Sequence, residues 1–348
     1  MKKRRILKAI LLSVFSLILL IGVTLTIIFY GRVSSMMSIK YKGSDLYTMN
    51  YKQNYHLDKA LKANIKDGDD LINFVSDEIF FGYKIKGNIP KYGCSAYTTT
   101  LTNGDKIVGR NFDLKDTDTL SVYTHPKNGY KSISTISTDM VYVGGKDGIK
   151  EKSLKGRALL LAAPYICLDG VNEKGLSASL LDMSYRETHM DTGKPKLIVS
   201  LAIRLLLDRA ANVNEAVNLL KDYDIQTEHG WTQHIFIADK SGYSVIVEWV
   251  KGEMNVIKYN VCTNYTMTTY QNEDNDYSYH CDRFDLLDEG INFSDKTSFT
   301  MDESFNLLEG VKQKGTEWSV VFNLTNFSCD YALNGKYDKI YHLEPKDY

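Results

Sequence analysis

Hydrophobic and polar positions are distributed most unevenly at the start of the chain. Lys2, Lys3, Arg4, Arg5 and Lys8 precede an uncharged run over residues 9–31. A helix rises about 1.5 Å per residue, so about 20 apolar residues cross a hydrocarbon core of about 30 Å. The run is long enough to span. Its basic N-terminal flank places the N-terminus in the cytoplasm and the remainder outside. A cleaved signal peptide has a shorter apolar core and a small-x-small cleavage site, and no such site lies near residues 29–31. The pattern predicts an uncleaved membrane anchor over residues 1–32.

Residues 33–54 read as a polar spacer rich in Tyr, Lys and Ser. Residues 56–66 predict a first helix. Asp69 or Asp70 is placed to cap a second, on which Leu71, Phe74, Val75 and Ile79 share one face. Residues 82–93, carrying Gly82, Gly87, Pro90 and Gly93, read as a linker. From Cys94 the texture changes to short strands. Residues 94–102 and 105–113 flank Asn103-Gly104, a two-residue hairpin signal. Strands are expected over 157–164 and 176–183, around a turn at 170–175. Helices are expected over 197–208 and 214–222. Strands at 234–238 and 243–250 are split by Lys240-Ser241-Gly242, and 254–258 follows. A helix around 283–288 and strands at 318–324, 327–331 and 339–342 complete the series. Strands, two helices, then strands again predict an α+β layered fold.

Composition narrows the function classes. The 348 residues, 43% hydrophobic, suit one large domain or two small ones. Basic and acidic side chains number 42 and 43, a balance that gives no electrostatic reason for a nucleic-acid partner. Abundant Tyr (24) and scarce Pro (5) fit a strand-rich domain and argue against disorder. The cysteines are Cys94, Cys167, Cys262, Cys281 and Cys329. None forms a C-x-x-C pair, which argues against a zinc site or a thioredoxin-like motif, and nothing calls for a metal or a cofactor. Outside the cell an odd count leaves at least one thiol unpaired in a monomer. Cys94 is the candidate, and pairing among the other four stays open.

The first hairpin carries candidate chemistry. With Asn103 and Gly104 as its loop, Thr102 faces Asp105 and Cys94 faces Asp113. Directly opposed side chains share a face at about 5 Å. A carboxylate raises a neighbouring thiol's pKa, which alone makes a poor nucleophile. The pairing becomes sensible if Cys94 is N-terminal: its α-amine then acts as base and Asp113 holds that amine. Arg110 supplies positive charge for a thiolate. Strict alternation puts it on the other face, so a bulge or strand twist must bring it round. A buried Cys with a surface Asp and Arg is the bland reading of the same residues.

Cys94-Ser95-Ala96, with Gly109-Arg110-Asn111-Phe112-Asp113 at offsets of 16 and 19 for the Arg and Asp, resembles the choloylglycine hydrolase and penicillin V acylase group of N-terminal-nucleophile hydrolases. The segment Asp169-Gly170-Val171-Asn172-Glu173-Lys174-Gly175-Leu176 resembles that family's D-G-x-N-E-K-G-L turn. Ile237-Ala238-Asp239 with Gly242 and Val247-Glu248 resembles its central hairpin. Thr263-Asn264 resembles its T-N element, and Arg283 its later active-site Arg. The resemblance runs from Cys94 to the C-terminus. It implies a four-layer αββα sandwich, preceded here by a transmembrane helix and a helical pro-segment over 33–93, with a catalytic domain over 94–348.

It also implies a linear amide C-N hydrolase with no cofactor, acting on a small-molecule N-acyl amide such as a bile salt, penicillin V, an N-acyl amino acid or a lipid amide. Cys94 would be the nucleophile after a cut between Gly93 and Cys94. Arg110, Asp113, Asn264 and Arg283 would complete the catalytic set, with Asn264 in the oxyanion hole. The family's bile salt hydrolases carry Asn where this chain has Asp182, a candidate substrate-binding residue. An ionised Asp182 would repel an oxyanion, so it is protonated, paired with Arg283, or contributes only its backbone N–H. The 19-residue gap from Asn264 to Arg283 is also shorter than in bile salt hydrolases, so the loops between them differ. Isopenicillin N acyltransferase-like and acid-ceramidase-like relatives resemble the chain in needing an internal cut. The apolar stripe of the pro-segment offers a way to stay docked after it.

Three alternatives remain. Acyl transfer to a second amine shares the first half-reaction. A papain-type Cys/His reading would draw its base from His229, His234 or His280, none in a recognisable local signature. A membrane-anchored binding module would keep the fold without the chemistry. Trp231, Trp249 and Trp318 read as core or pocket wall.

Overall fold

A computed structural model describes residues 2–87, 92–114, 117–141, 153–183, 188–227, 232–268 and 281–348. Helix α1 (Lys2–Met37) is long and apolar enough, by length and composition, to cross a membrane. Its large apolar side chains between Ile6 and Tyr30 stay exposed. Its last turns enter the body. Ser35 is fully buried, and its Oγ accepts from the N–H groups of Lys52 (2.7 Å) and Gln53 (3.2 Å).

The expected spacer over 33–54 is structured. After α1 come β1 (Lys40–Gly43) and β2 (Leu46–Tyr51), and β2 then pairs in parallel with a strand of the main domain, β5, given below. Counting Tyr as polar misled the expectation: Tyr47, Tyr51 and Tyr55 are buried, and aromatic residues favour strands. The first expected helix shrinks to one turn, α2 (Leu57–Ala60), because Asn64 turns left-handed and Ile65 bridges to Leu197. Helix α3 (Gly68–Phe80) is capped by Asp67, whose side chain accepts from the Asp70 N–H. Asp69 and Asp70 fall in its first turn, where acidic charge suits the helix dipole. Leu71, Val75 and Ile79 pack inward as expected, and Phe74 is partly buried against Tyr165.

The hairpin strands are β3 (Gly93–Thr100) and β4 (Lys106–Asp113). Then come β5 (Thr119–Thr124) and β6 (Ser132–Ser137), which the sequence reading passed over. The expected strand at 157–164 is instead helix α4 (Leu154–Leu159), capped by Ser153, running into a 3-10 stretch (Leu160–Tyr165). That stretch is buried throughout, and a short, uniformly apolar run carries no period to separate strand from helix. Next are β7 (Asp169–Asn172), β8 (Leu176–Met183), β9 (Lys196–Ile198), α5 (Val199–Arg209), α6 (Val213–Leu220) and β10 (Asp224–Gln226). Strands β11 (Thr232–Asp239), β12 (Ser244–Val250), β13 (Glu253–Ile257) and β14 (Val261–Thr263) follow. Helices α7 (Asp282–Asn292) and α8 (Met301–Gly310) precede β15 (Thr316–Asn323), β16 (Ser328–Leu333) and β17 (Lys336–Leu343). Helix α8 was missed, although Thr300 and Glu303 form a capping box readable in the sequence.

Two large sheets result. One runs β1-β2-β5-β6-β7-β8-β11-β12-β13, the other β14-β3-β4-β15-β16-β17. Helices α5 and α6 cover the first sheet, and α7 and α8 the second, making the four layers expected. Alternation along β3 and β4 decides which core each side chain joins. Cys94, Ala96 and Phe112 lie in the cluster that includes the inter-sheet layer, whereas Tyr97 and Ile107 lie in the cluster under α7 and α8.

Candidate active site

The hairpin loop decides what Cys94 meets. Leu101 N–H bonds to the Asp105 carbonyl, and Gly104, at φ 93°, donates to the Leu101 carbonyl. The loop is therefore Thr102-Asn103-Gly104, three residues with the glycine in the left-handed position. The two-residue expectation is corrected by one step. Cys94 faces Phe112, and Asp113 faces Gly93. Because side chains alternate, this step also exchanges the faces. Arg110, opposite Ala96, now points to the same side as Cys94, and no bulge or twist is needed to bring it there.

Around the thiol, Arg110 dominates. Its Nη2 donates to Cys94 Sγ at 3.2 Å and to the Leu180 carbonyl at 2.6 Å. Its Nη1 pairs with Asp169, and both side chains are fully buried. Asp169 Oδ2 also accepts from Trp318 Nε1 at 3.2 Å, and Trp318 stacks on Phe112 with centroids 4.0 Å apart. Asp169 is not among the site residues expected from the sequence. Its place at the head of the D-G-x-N-E-K-G-L match was the signal for a role. Cys94 is itself 0% exposed. Burial pushes its thiol up to about 12, with Arg110 acting against the rise and Asp113 and Asp182 adding to it. Burial thus favours the neutral thiol.

A second group of side chains grips the main chain of Cys94. Strand β14 pairs with β3 only as far as Thr263 opposite Ser95. Beyond that point side chains take over the ladder. Cys94 N–H donates to Asn264 Oδ1 at 2.8 Å. Arg283 Nη1 donates to the Cys94 carbonyl and to Asp113 Oδ2, both at 3.0 Å, and its Nη2 donates to Asn264 Oδ1 at 2.7 Å. Asp113 Oδ1 accepts from Thr316 Oγ1 at 2.5 Å. A bulge in β15 between Thr316 and Trp318 lets Thr316 meet Asp113 while Trp318 faces Phe112. Burial raises the Asp113 pKa, opposed by Thr316 and Arg283. A Cβ on Gly93 would lie 3.0 Å from Asp113 Oδ2, so the absence of a side chain at Gly93 lets the carboxylate come this close.

Asp182 takes up neither the expected pairing with Arg283 nor the expected backbone N–H role. Its Oδ1 accepts from Gln233 Nε2 at 2.8 Å and its Oδ2 from Tyr92 N–H at 3.3 Å. Burial pushes its carboxyl up to about 6, with these hydrogen bonds holding it lower. Its backbone carbonyl, rather than its N–H, faces the site and accepts from Asn264 Nδ2. The amide nitrogen expected to serve an oxyanion is thus already engaged. Tyr92 and Gln233 were not singled out from sequence.

His234 stands apart from Cys94. Its Nε2 lies 3.6 Å from Cys262 Sγ, and its Nδ1 lies 3.1 Å from Glu248 Oε1. All three residues are fully buried. Burial acts to lower the His234 pKa, but Cys262 and Glu248 outweigh it and raise it to about 10. Glu248 also accepts from Met267 N–H and Thr268 N–H, so this cluster fixes the chain just beyond Asn264. The papain-type reading loses His234, and His229 and His280 lie outside the described residues, as does Trp231. Trp249 and Trp318 are buried core. All five cysteines are buried free thiols. No cluster of three or more His, Cys, Asp or Glu able to hold a metal occurs among the described residues.

The chain has relatives among known proteins. Residues 94–305 match the family model of linear amide C-N hydrolases, choloylglycine hydrolase family, and the chain belongs to that family. Penicillin V acylase of Pectobacterium atrosepticum is 27% identical over 172 residues, covering 45% of each chain. Bile salt hydrolase/transferase of Clostridium perfringens is 25% identical over 182 residues, covering 48% of this chain and 51% of the relative. The chain thus spans about half the length of the curated relatives it matches. Among solved structures, a mutant conjugated bile acid hydrolase from Clostridium perfringens superposes with TM-score 0.53 at 18% identity, covering 73% of this chain and 93% of its own. Penicillin V acylase from Agrobacterium tumefaciens superposes with TM-score 0.50 at 18% identity, covering 73% and 86%. At these identities the superpositions speak for the fold: an N-terminal-nucleophile hydrolase-like α+β architecture.

Proposed function

We propose that this chain is a membrane-anchored amide hydrolase that cuts itself between Gly93 and Cys94 and then uses Cys94 as an N-terminal nucleophile. One observation carries the reading. Asn264 and Arg283 converge on the main-chain N–H and C=O of Cys94, with Asp113 beside Gly93, while Arg110 meets the thiol. Polar side chains gathered on a backbone amide suit a site where that amide becomes an amine.

In the self-cut, Cys94 Sγ attacks the Gly93 carbonyl carbon and the Gly93–Cys94 C–N bond breaks. Gly93 becomes a thioester and the nitrogen leaves as an amine. Water then releases the Gly93 carboxylate and the thiol. In turnover the new amine takes the thiol proton, and the thiolate attacks a substrate amide carbonyl. The protonated amine gives its proton to the leaving amine, and water hydrolyses the acyl thioester. Asp113 and Asn264 orient the amine, Arg110 favours the thiolate, and Arg283 holds Asp113 and Asn264 together. Asn264 Nδ2 turns from the Asp182 carbonyl to the oxyanion. Asp182 acts on the substrate side by fixing Tyr92 and the rim near the nucleophile.

The N-terminal piece supports an anchor that stays attached after the cut. Six residues of β2 pair with β5, and Arg157 Nη1 donates to the Met36 carbonyl at 2.9 Å. These contacts support residues 33–87 staying docked on the proposed catalytic domain without a peptide bond. The basic flank of α1 supports a catalytic domain outside the cell. The substrate class is an N-acyl amide.

The test uses full-length protein. N-terminal sequencing should find a chain beginning at Cys94, and Cys94→Ala should stay uncut. Mass spectrometry of a panel of N-acyl amides incubated with wild type should show amide cleavage. An uncut, fully active wild type would overturn the reading.

A further inference from the structure

The end of α3 carries two features that conflict in water. Phe81 closes the helix in the left-handed region, at φ 54°, and is 61% exposed. That conformation is costly for an L-residue, and helices usually place Gly there. Here Gly82 comes one position later, itself left-handed at φ 83°. Tyr83 is also 62% exposed. A large apolar ring held out in a costly conformation gains nothing from solvent.

Contacts with α1 set the depth of this turn. The Phe81 ring lies 5.4 Å from that of Phe29, centroid to centroid. Arg32 donates from Nε to the Ile79 carbonyl and from Nη2 to the Glu78 carbonyl, both at 3.1 Å, which satisfies the last carbonyls of α3. The same guanidinium lies 4.3 Å from the Phe81 ring centroid. Phe29 stands near the outer end of the uncharged run, about 30 Å of helix from its start. Phe81 therefore sits level with the boundary between hydrocarbon and headgroups. Aromatic rings collect at that level.

We propose that the α3 C-terminal turn, Phe81 with Tyr83, is a second membrane contact that inserts into the outer-leaflet interface beside α1. It rests on the reading of α1 as a membrane span. Two contact points joined by Arg32 fix the tilt and rotation of the body, which a single helix with a loose linker would not.

The test reconstitutes full-length protein in phosphatidylcholine vesicles whose acyl chains are brominated either near the headgroup or near the chain end. Tryptophan is introduced singly as Phe81→Trp, Tyr83→Trp, Phe15→Trp within α1, or Phe293→Trp on the 77% exposed end of α7. Fluorescence added over wild type is then measured. Phe81→Trp and Tyr83→Trp should be quenched severalfold by headgroup-proximal bromine, Phe15→Trp by deep bromine, and Phe293→Trp by neither. Quenching at Phe15→Trp with none at Phe81→Trp or Tyr83→Trp overturns the second contact and leaves the anchor standing. No quenching at any position overturns the anchor and the contact together.

Discussion

Arg110 and Arg283 both reach Cys94, at different atoms and from different surroundings. Arg110 is sealed in the inter-sheet core, paired with a carboxylate that is equally sealed, and touches the thiol. Arg283 comes from a helix over the open end of the β14–β3 ladder, keeps 17% of its side chain exposed, and touches the main chain. The contrast separates two tasks. A charge in the core must be paired or the fold suffers, so Arg110 is bound up with stability. A charge at the rim is freer to change partners, which suits the role in chemistry proposed above for Arg283.

The largest expected effect tests whether both arginines serve Cys94 at all. Cys94→Ala should abolish self-cutting and amide cleavage while leaving both arginine networks in place. Residual cutting seen by gel and intact mass would break the comparison at its root. Next is Arg110→Met, which strands Asp169 in the core and should cost about 3–5 kcal/mol by urea unfolding. Adding Asp169→Asn should restore much of that stability without restoring cutting. Full recovery of cutting in the double variant would show that Arg110 acts through the fold alone.

Arg283→Lys should leave unfolding nearly unchanged and slow cutting and turnover roughly 100-fold, because an ammonium cannot reproduce the forked contacts. A stability loss as large as that of Arg110→Met would erase the distinction. The smallest effect concerns Asp182, which lies between the two networks. Its folded pKa of about 6 is above the ordinary carboxylate value of about 4. The folded chain therefore binds more protons between about pH 4 and 6, and this contribution to stability falls as pH rises through that window. Asp182→Asn should remove that fall. The stability difference between about pH 5 and pH 8 should shift by on the order of 1 kcal/mol relative to wild type. An unchanged difference in urea titrations would place the Asp182 titration elsewhere.

Much of this was written locally. The uncharged run of α1, the helices α3, α5 and α6, and the central hairpin of β11 and β12 follow from periodicity and turn residues. The set of Cys94, Arg110, Asp113, Asn264 and Arg283 follows from spacing and family resemblance, and the fold brings all five together. The spacer was misread because Tyr hides its β character behind a polar hydroxyl. The 157–164 segment departs from the expected strand because its buried apolar run from Leu159 onward has no face to betray its period.

What tertiary structure alone decided were questions of one residue or of long range. Asn103-Gly104 specified a hairpin but not whether Thr102 belonged to the loop. That single residue exchanged Phe112 for Asp113 opposite Cys94 and turned Arg110 toward the thiol. Partnership of Arg110 with Asp169, 59 residues away, depends on which strands face each other across the sandwich. The place of β2 beside β5, and of Asp182 beside Gln233, depends on sheet order in the same way. Sequence carries the local preferences of backbone and side chain. Register and the pairing of buried charges are settled only when the two sheets close on a shared core.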